Sequence, residues 1–467
     1  MTNHNFLPHT QADRTAMLAA IGVDSQDTLF ADIPDHIRRH VVFDHLPRLG
    51  LSEPELQQTQ KAWAQANAGA GMACFLGGGA YYRFIPPAVH TIASRSEFYT
   101  AYTPYQPEIA QGTLQVTYEF QTMIAELTGM DVANAGVYDG ASALTEAALM
   151  ALRIRGGKKH QGLVVPRSLN PEYRAVLNTY LKAVGDVPVI EYDSPADLRA
   201  LQTSLAGKPP CALLVQQPDY FGCLQDPAAL QAFCGALNCL MVVAADPVSL
   251  GLLAPPGAYG ADIVVGDIQP LGNNLAFGGP YGGFMACRSA WMRQLPGRLV
   301  GRTLDQNGTS CYTLTLQTRE QHIRRDRATS NICTNQALNV LKATVYMTLV
   351  GPAGLKRVAQ ISADRAHALA EKLCRHDGVE RVFADRPFLF EFAVRLPCPV
   401  KPLLAHLEQS GILAGIPLAA DFPQYPDTLL MACTEMTTPS QIDQLDTLIE
   451  RWLVSVGRKN GQPAPIL

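Results

Sequence analysis

The sequence predicts an α/β protein whose large domain is built on a mainly parallel β-sheet. Between residues 162 and 288, short apolar runs alternate with amphipathic helical segments, a cadence typical of parallel strands covered by helices on both faces. After residue 334, helices and strands alternate again and predict a smaller C-terminal α+β domain. No strand signal precedes residue 70, so this part predicts a helical N-terminal arm. The predicted units are 1–70, 71–333 and 334–467.

The N-terminal arm is predicted to consist of amphipathic helices. Ser52 and Asp24 are predicted N-caps, and Glu55 stands three residues after Ser52, as in a capping box. A role in packing and a role in an interface both remain open for this arm. The helical segments are Arg14–Ile21, Asp27–Phe30, Ile37–Phe43 and Glu53–Ala66.

The elements of the two domains follow from hydrophobic periodicity. Helices of the large domain are predicted at Gln111–Leu127, Ala141–Arg153, Tyr173–Ala183, Ala196–Leu205 and Pro227–Leu237. Its strands are predicted at Leu163–Pro166, Val187–Tyr192, Ala212–Gln216, Leu240–Ala245, Ile263–Val265 and Phe284–Cys287. A long helix from Thr334 leads into the small domain, with helices Leu355–Cys374, Lys401–Glu408 and Pro439–Val456, strands Phe388–Val394 and Leu429–Cys433, and a loose tail from Gly457.

The composition excludes several classes of function. A net charge of −4 with a pI near 6.3 indicates neither nucleic acid nor an anionic membrane as a partner. The 11 cysteines are scattered without a CxxC pair, which is typical of reduced thiols in a cytoplasmic protein. No signal-peptide pattern and no membrane-spanning apolar run is present. The histidines form no metal-binding motif, and a surface or packing role is favoured for His36 and His40, so we expect no metal.

Two loops of the large domain display residues that suit a binding surface. Gly77–Gly79 permit close backbone approach, and Tyr99, Tyr102 and Tyr105 cluster among prolines, although packing explains such tyrosines equally well. Asp139 and Gly140 form a turn before a helix of small residues. Such a turn can offer N–H groups to a phosphate, but many ordinary helices begin in this way.

The stretch from Leu240 to Arg288 carries the strongest chemical signal. One apolar run ends on Asp246, a second ends on Gly266 and Asp267, and a glycine-rich loop follows at 278–283. In pyridoxal phosphate (PLP) enzymes of the aminotransferase type, such an Asp pairs with the pyridine nitrogen, and a Lys in this stretch forms a Schiff base. This stretch contains no Lys; Gln269 and Pro270 stand where the Lys is expected, and Lys208 and Lys342 are the nearest lysines. Asp246 and the glycines are otherwise explained as turn residues.

Three long motifs resemble the P-protein family of the glycine cleavage system, and within it the alpha subunit, which is subunit 1 of glycine dehydrogenase (decarboxylating). The resemblance covers nearly the whole chain. The motifs are SRSEFYTAYTPYQPEIAQGTLQVTYEFQTMIAELTGMDVANAGVYDGASALTEA, DIVVGDIQPLGNNLAFGGPYGGF and LTLQTREQHIRRDRATSNICTNQAL.

The resemblance implies a PLP-dependent fold type I structure and accounts for the missing lysine. In split P-proteins the beta subunit carries the Schiff-base Lys, and the alpha subunit completes the site across the interface of an α2β2 assembly. PLP is therefore expected to be held covalently by the partner and not by this chain. The implied reaction is the decarboxylation of glycine, with release of CO2 and transfer of the aminomethyl group to the lipoyl group of H-protein. T-protein and L-protein are the further functional partners.

The resemblance also suggests site residues. We expect Tyr102, Tyr105 and Glu108 to support catalysis in the shared pocket, with Gln106 and Glu108 orienting the two tyrosines. Gly278, Gly279 and Gln106 are the expected cofactor-binding residues, and the two glycines would give N–H groups to the PLP phosphate. The role of Asp246 stays open between a cofactor contact and a relic of the fold. Two positions depart from the family pattern, which has His at Arg83 and Asn at Asp219, so their local roles are open too.

The polar stretch from Arg302 to Leu338 has two interpretations. Its arginines are most simply explained as a solvated helix face, and alternatively they form a surface for the acidic lipoyl carrier or for the partner subunit. The arginines concerned are Arg319, Arg324, Arg325 and Arg327.

Two other functions compete with the half-site interpretation. A PLP aminotransferase or decarboxylase that acts without a partner is disfavoured, because no ammonium group is placed for the Schiff base. A stabilising or regulatory subunit that contributes no active-site group is not excluded by the sequence.

Overall fold

The computed structural model describes residues 8–41, 46, 50–157 and 161–459, which fall into two compact units, Met1–Ala70 and Gly71–Leu467. The domain boundary predicted at 333/334 stays a prediction. Parts of two predicted segments, the helix at 37–43 and the tail from 457, lie outside the described residues. No helix in the described ranges is long and apolar enough to cross a membrane.

Most of the longer α-helices begin and end close to the predicted residues. The α-helices are α1 Gln11–Ile21, α2 Asp35–Arg38, α3 Glu53–Ala66, α4 Pro87–Ala93, α5 Ser96–Tyr99, α6 Gln111–Thr128, α7 Gly140–Arg155, α8 Pro171–Val184, α9 Pro195–Ser204, α10 Pro227–Leu237, α11 Gln321–Arg324, α12 Ala337–Leu373, α13 Val400–Gln409 and α14 Pro439–Lys459. The short helices α4, α5 and α11 were not predicted.

The β-strands are short, as expected for a sheet linked by helices. They are β1 Ala73–Cys74, β2 Val132–Ala133, β3 Leu163–Pro166, β4 Val189–Tyr192, β5 Ala212–Gln217, β6 Leu240–Ala245, β7 Ile263–Asp267, β8 Gly283–Cys287, β9 Leu299–Leu304, β10 Ser310–Thr315, β11 Glu380–Arg381, β12 Glu391–Arg395, β13 Ile412–Leu413, β14 Ile416–Pro417 and β15 Thr428–Ala432.

The N-terminal unit is helical, and its caps are local. Thr10 caps α1, because its hydroxyl accepts from Asp13 N while the Asp13 carboxylate accepts from Thr10 N. The predicted cap at Ser52 is confirmed by the bond from Ser52 N to Glu55 Oε2 at 2.8 Å. The prediction for Asp24 is wrong, since Ser25 holds the N-cap position of the following 3₁₀ turn.

The large sheet has seven strands in the order β2-β8-β7-β6-β5-β3-β4. All neighbours from β7 to β4 run parallel, whereas β8 runs antiparallel to both β7 and β2. Two apolar clusters cover its two faces. The predicted mainly parallel α/β sheet is therefore confirmed, and the carboxyl ends of β5, β6 and β7 meet at one edge, where ligands bind in such sheets.

The small sheet is antiparallel, in the order β11-β12-β15-β14. The second half of α12 packs on it together with α13 and α14 around one apolar cluster. The sequence predicted a helix from Thr334 and another from Leu355, whereas one helix spans both. The helix changes direction at Gly351, whose φ of 59° suits a residue without a Cβ, directly before Pro352.

The polar stretch after Arg302 does not form the solvated helix that was the simplest interpretation. Its first part belongs to an antiparallel hairpin of β9 and β10, and only short helical turns follow. β9 is buried at Leu299 and Val300 and exposed from Arg302 onwards, so its sequence lacks the alternation that would have predicted a strand.

Candidate functional site

A small cavity lies at the carboxyl ends of β5, β6 and β7, where the sequence predicted a cofactor site. We name it the inner cavity; its wall includes Tyr81, Tyr173, Asp246, Asp267, Phe390 and Glu391. Its volume is about 40 Å³. Because one water needs roughly 10–15 Å³ and small-molecule sites measure about 300–1,000 Å³, this space suits a few waters only.

Gln269 is one of the two residues that stand where the Schiff-base Lys is expected, and its amide binds the backbone of a distant loop. Gln269 Oε1 accepts from Tyr81 N at 2.9 Å, and Gln269 Nε2 donates to Tyr81 O at 3.0 Å. Nε2 also donates to Asn273 O at 2.9 Å. Gln269 is only 2% exposed. The residue that replaces the Lys is therefore part of the packing that closes the cavity.

The Tyr81 loop brings its own side chain into this packing. Tyr81 Oη donates to Glu391 Oε2 at 2.9 Å, and the other oxygen of Glu391 accepts from Gly78 N at 2.6 Å. The ring of Tyr81 meets Phe390 edge-on, with 5.5 Å between centroids. The loop that the sequence singled out for close backbone approach thus forms part of the wall of the inner cavity.

The two acidic residues on the strand ends are engaged in local hydrogen bonds. Asp246 Oδ1 accepts from Ser249 N at 2.8 Å and so caps the turn after β6. Asp267 accepts from Gly140 N at 2.9 Å and from Gln269 N at 2.7 Å. Asp246 does line the inner cavity, but its hydrogen bond is the turn contact that the structural interpretation predicted.

Burial controls the ionisation of this cavity. Burial raises the pKa of Asp267 to about 7, against the hydrogen bonds from Gly140 and Gln269 that lower it. Burial likewise raises the pKa of Glu391 to about 7. Desolvation disfavours the charged carboxylate, so these groups bind protons more tightly in the folded chain than in the unfolded chain.

A pH-dependent loss of stability follows from Glu391. Below its ordinary pKa near 4.3 the group is protonated in both states, and stability is lost as pH rises through the folded-state value of about 7. We expect Glu391→Gln to flatten the decline in unfolding free energy between pH 5 and pH 7 by up to about 1.4 kcal/mol per pH unit. Urea titrations of both proteins at several pH values measure this.

Glu450→Gln, on the exposed face of α14, controls for the general effect of removing one carboxylate. Gln at position 391 can still accept from Gly78 and donate to Tyr81. A variant that declines as steeply as the unsubstituted chain would show that Glu391 is not a source of the pH dependence.

The residues of the inner cavity do not fit PLP. An amide stands in place of the amine that would form the Schiff base, and the cavity that Tyr81 and Tyr173 line has a volume of only about 40 Å³, far below that of a small-molecule site. The buried Tyr173 hydroxyl stands against Gly140, the residue whose N–H contacts Asp267. No chemical step through PLP is derived for this cavity.

Arg83, which departs from the family pattern, forms a buried ion pair. Its Nη1 lies 2.7 Å from Glu435 Oε2 and donates to Ser362 Oγ at 3.2 Å. Glu435 Oε1 accepts from Phe84 N at 2.8 Å. The guanidinium lies over the rings of Tyr81 and Phe390, although its Nε and Nη2 form no hydrogen bond in the described ranges. Its role is to anchor the loop on the small domain.

Asp219, the second departure, is matched by an arginine. Its Oδ2 accepts from Arg386 Nη2 at 2.8 Å and from Gln225 Nε2 at 3.0 Å, while Oδ1 accepts from two backbone N–H groups. A neutral Asn would keep the Oδ1 contacts and lose the ion pair. Asp219 therefore joins the loop after β5 to the loop before β12.

A second, larger cavity of about 440 Å³ opens on the surface between the tyrosine loop and the start of α12. We name it the outer cavity; its wall includes Tyr102, Asn274, Pro280, Arg298, Asn335 and Lys342. Tyr102 is 79% exposed, and its hydroxyl forms no hydrogen bond within the described residues. A phenol ring at the wall of an open cavity leaves a donor and an apolar face for another molecule.

Tyr105 lies beside this wall and is oriented by Arg298. Its hydroxyl accepts from Arg298 Nη2 at 3.3 Å, and its ring lies under the guanidinium at 5.4 Å. Gln106 and Glu108 are exposed, and neither side chain bonds to a tyrosine in the described part of the chain. The expectation that Gln106 and Glu108 orient the tyrosines in the shared pocket stays a prediction. In this chain Arg298, which no sequence pattern indicated, contacts Tyr105.

The glycine-rich loop uses its own N–H groups. Gly278 N donates to Leu275 O at 2.9 Å, and Gly279 N donates to Ala276 O at 3.2 Å. The phosphate contact expected for these glycines stays a prediction. For it to form, the two N–H groups would have to give up their hydrogen bonds to Leu275 O and Ala276 O. Between them and Ala276, Phe277 is 99% exposed at a φ of 55°, which is uncommon for a residue with a side chain.

The arginine surface is smaller than the sequence suggested. Arg319 is buried, where Nη2 donates to Gly297 O at 2.9 Å and Nε to Leu316 O at 3.0 Å. Only Arg324, Arg325 and Arg327 are exposed. Among the described residues, no group of three or more His, Cys, Asp or Glu side chains is arranged to hold a metal ion.

Comparisons with known proteins agree with this arrangement. A family model described as "Glycine cleavage system P-protein" matches residues 4–449. The chain is 47% identical over 442 residues to a probable glycine dehydrogenase (decarboxylating) subunit 1 of Chlorobaculum parvum, covering 94% of this chain and 97% of that protein.

Solved structures extend the comparison to the fold. A crystal structure of glycine decarboxylase (P-protein) of the glycine cleavage system, in inhibitor-bound form, matches with a TM-score of 0.82 at 40% identity, covering 96% of this chain and 100% of that one. An alanine–glyoxylate aminotransferase from Nostoc sp. shares the fold, with a TM-score of 0.55 at 16% identity, over 82% of this chain and 95% of that one. The predicted aminotransferase-like fold is confirmed.

Proposed function

The chain belongs to the P-protein family of the glycine cleavage system as an alpha subunit, and from that premise we propose that it is the lysine-free half of a composite glycine decarboxylase site. Its partner is subunit 2, the counterpart that a subunit 1 requires. In this proposal subunit 2 holds PLP covalently through its own Lys in an α2β2 assembly. The supporting observation is Gln269 in the position of the Lys, beside an inner cavity of only about 40 Å³.

The proposed contribution of this chain comes from the outer cavity. When bound to the partner, PLP supplies an electron sink for the loss of CO2 from glycine. The free Tyr102 hydroxyl can donate to an acceptor in a shared pocket, and its exposed ring can exclude water from that pocket. Arg298 holds Tyr105 ready for the same surface. The exposed Phe277 of the neighbouring loop offers the apolar anchor that interfaces use.

The proposed reaction also implies the other proteins of the glycine cleavage system as partners. H-protein receives the aminomethyl group on its lipoyl arm, and T-protein and L-protein act after it. Arg324, Arg325 and Arg327 are the exposed arginines proposed to face an acidic carrier, so binding of H-protein should weaken as salt rises. We place this assembly in the cytoplasm, with neither nucleic acid nor a membrane as a partner.

Reconstitution with subunit 2 tests the function. The chain by itself should give no PLP-labelled lysine after borohydride reduction and no glycine-dependent CO2 release, whereas the mixture should give both, with the label on subunit 2. In the mixture, Tyr102→Phe and Tyr105→Phe should each lower turnover by about tenfold, the worth of one hydrogen bond to a charged group.

A control distinguishes these tyrosines from others on the surface. Tyr99→Phe removes the hydroxyl of a tyrosine that is 66% exposed but is not part of the outer cavity, and it should leave turnover unchanged. A single lysine of this chain labelled stoichiometrically, with turnover and no partner, would refute the half-site proposal.

The alternative is a stabilising or regulatory subunit without an active-site group. The internal hydrogen bonds of Gly278 and Gly279 favour this alternative. A loop that is preformed to bind the PLP phosphate would leave these N–H groups without internal partners. Full turnover with both tyrosine variants, in a mixture that still needs this chain, would establish that alternative.

A further inference from the structure

The outer cavity contains two cationic side chains and lacks acidic ones. Lys342 and Arg298 line it, and its described wall includes no Asp or Glu. Both cations belong to elements whose positions are fixed by the fold, Lys342 on α12 and Arg298 directly before β9. A concave surface of one charge sign concentrates the field that attracts a counter-ion.

Lys342 has no anionic partner. Its Nζ donates to the neutral Asn339 Oδ1 at 3.2 Å and forms no ion pair in the described ranges. Burial lowers the pKa of Lys342, because desolvation disfavours an ammonium without a counter-charge. An anion bound in the cavity would supply that charge and use the remaining donors of Nζ.

Arg298 is only 7% exposed, and not all of its N–H groups form hydrogen bonds within the described residues. Nη2 donates to Tyr105, while the buried Nε forms no hydrogen bond in the described part of the chain. The carboxylate of Glu320 lies behind it, with 3.9 Å between Nε and Oε2, which is beyond hydrogen-bond distance. Glu320 therefore offsets part of the charge of Arg298 without occupying its donors.

The start of α12 adds a third source of positive potential. Residues 336–339 belong to the cavity wall, and Gln336 at the N-cap forms no side-chain cap bond. The first N–H groups of a helix have no partner within the helix, and the helix dipole favours an anion there. Two cations and an uncapped helix N-terminus thus surround one cavity.

We propose that the outer cavity is a binding site for a small oxyanion, a phosphate or carboxylate group, held by Lys342, Arg298 and the first turn of α12. The proposed function is needed only to identify which molecule carries the oxyanion. In a composite site the phosphate of PLP and the carboxylate of glycine both have this chemistry. The site itself is formed by residues of this chain and should bind an oxyanion without the partner.

Calorimetric titration of the chain alone with inorganic phosphate, and separately with acetate, tests the site at low ionic strength. Lys342→Met should weaken binding by at least about tenfold, because it removes one charge-assisted hydrogen bond. Lys356→Met is the matched control, since Lys356 lies on the same helix, is exposed and is not part of the cavity. Lys342→Arg should retain most of the affinity.

Two results would overturn the site. One is the absence of saturable binding of either anion to the folded unsubstituted chain. The other is equal affinity in Lys342→Met and in the unsubstituted chain, with thermal unfolding confirming that both are folded. Neither measurement uses the partner or glycine turnover, so failure of the proposed function would leave this result intact.

The reconstituted mixture identifies the source. If the cavity receives the cofactor's phosphate, Lys342→Met raises the PLP concentration for half-activation about tenfold and leaves the KM for glycine unchanged. If it receives the substrate's carboxylate, the KM for glycine rises instead. If neither value changes, the cavity is not part of the composite site.

Discussion

Gln269→Lys is expected to create no PLP adduct and to destabilise the chain by about 3 kcal/mol or more. Introducing an amine does not create a cofactor site, because the inner cavity beside it, with Tyr81 and Tyr173 in its wall, has a volume of only about 40 Å³. The substitution also leaves the N–H and C=O groups of Tyr81, and the C=O group of Asn273, without their amide partner. Each buried group that loses its partner costs about 1–3 kcal/mol.

Borohydride trapping with PLP and urea unfolding measure the two parts of this prediction. Gln115→Lys, on an exposed turn of α6, is the control for adding a lysine at the surface, and it should change stability by less than about 0.5 kcal/mol. Stoichiometric, borohydride-stable labelling at position 269 would contradict the prediction, because the inner cavity would then have to open.

Glu435→Ala should lower the free energy of unfolding by about 3–5 kcal/mol, the usual cost of breaking a buried ion pair from one side. The side chains of Arg83 and Glu435 are only 2% and 10% exposed. Removal of the carboxylate leaves a buried guanidinium with Ser362 as its remaining hydrogen-bond partner, and it leaves Phe84 N without its acceptor. Chemical denaturation of the unsubstituted chain and the variant measures the difference.

Two further variants separate the buried pair from charge effects in general. Glu97→Ala breaks an exposed pair with Arg95 and should have little effect, because water and salt replace the lost contact. Arg83→His introduces the residue that the family resemblance leads us to expect, and it should cost less than Glu435→Ala, since an imidazole can still donate to Glu435. A loss for Glu435→Ala as small as that for Glu97→Ala would show that the buried pair adds nothing.

These predictions describe a chain whose inner cavity is small and bordered by hydrogen-bonded loops. The same loop that would have approached a ligand is fastened by Gln269 on one side and Glu391 on the other. Open space and unpaired donors are found in the outer cavity instead. This arrangement is what the proposed half-site requires, with PLP held by the partner and an open surface on this chain.

The sequence by itself determined six of the seven strands of the large sheet, the missing lysine and the family, and it missed the two-residue strand β2. Hydrophobic periodicity and turn residues are local signals, so β3, β5, β6 and β7 were predicted within two residues of their observed ends. The absence of Lys between 240 and 288 needs no coordinates, and the long motifs were specific enough to indicate the family.

Only the tertiary structure decided which side chains meet. Arg83 and Glu435 are 352 positions apart, and Tyr81 and Gln269 are 188 apart, so no local pattern relates them. Lys342 was noted only as a distant lysine, yet the position of α12 places it at the outer cavity with Arg298. Pairs of this kind depend on how helices and strands pack across the fold, because burial and long-range contacts, and not local propensity, fix the partners of a charged side chain.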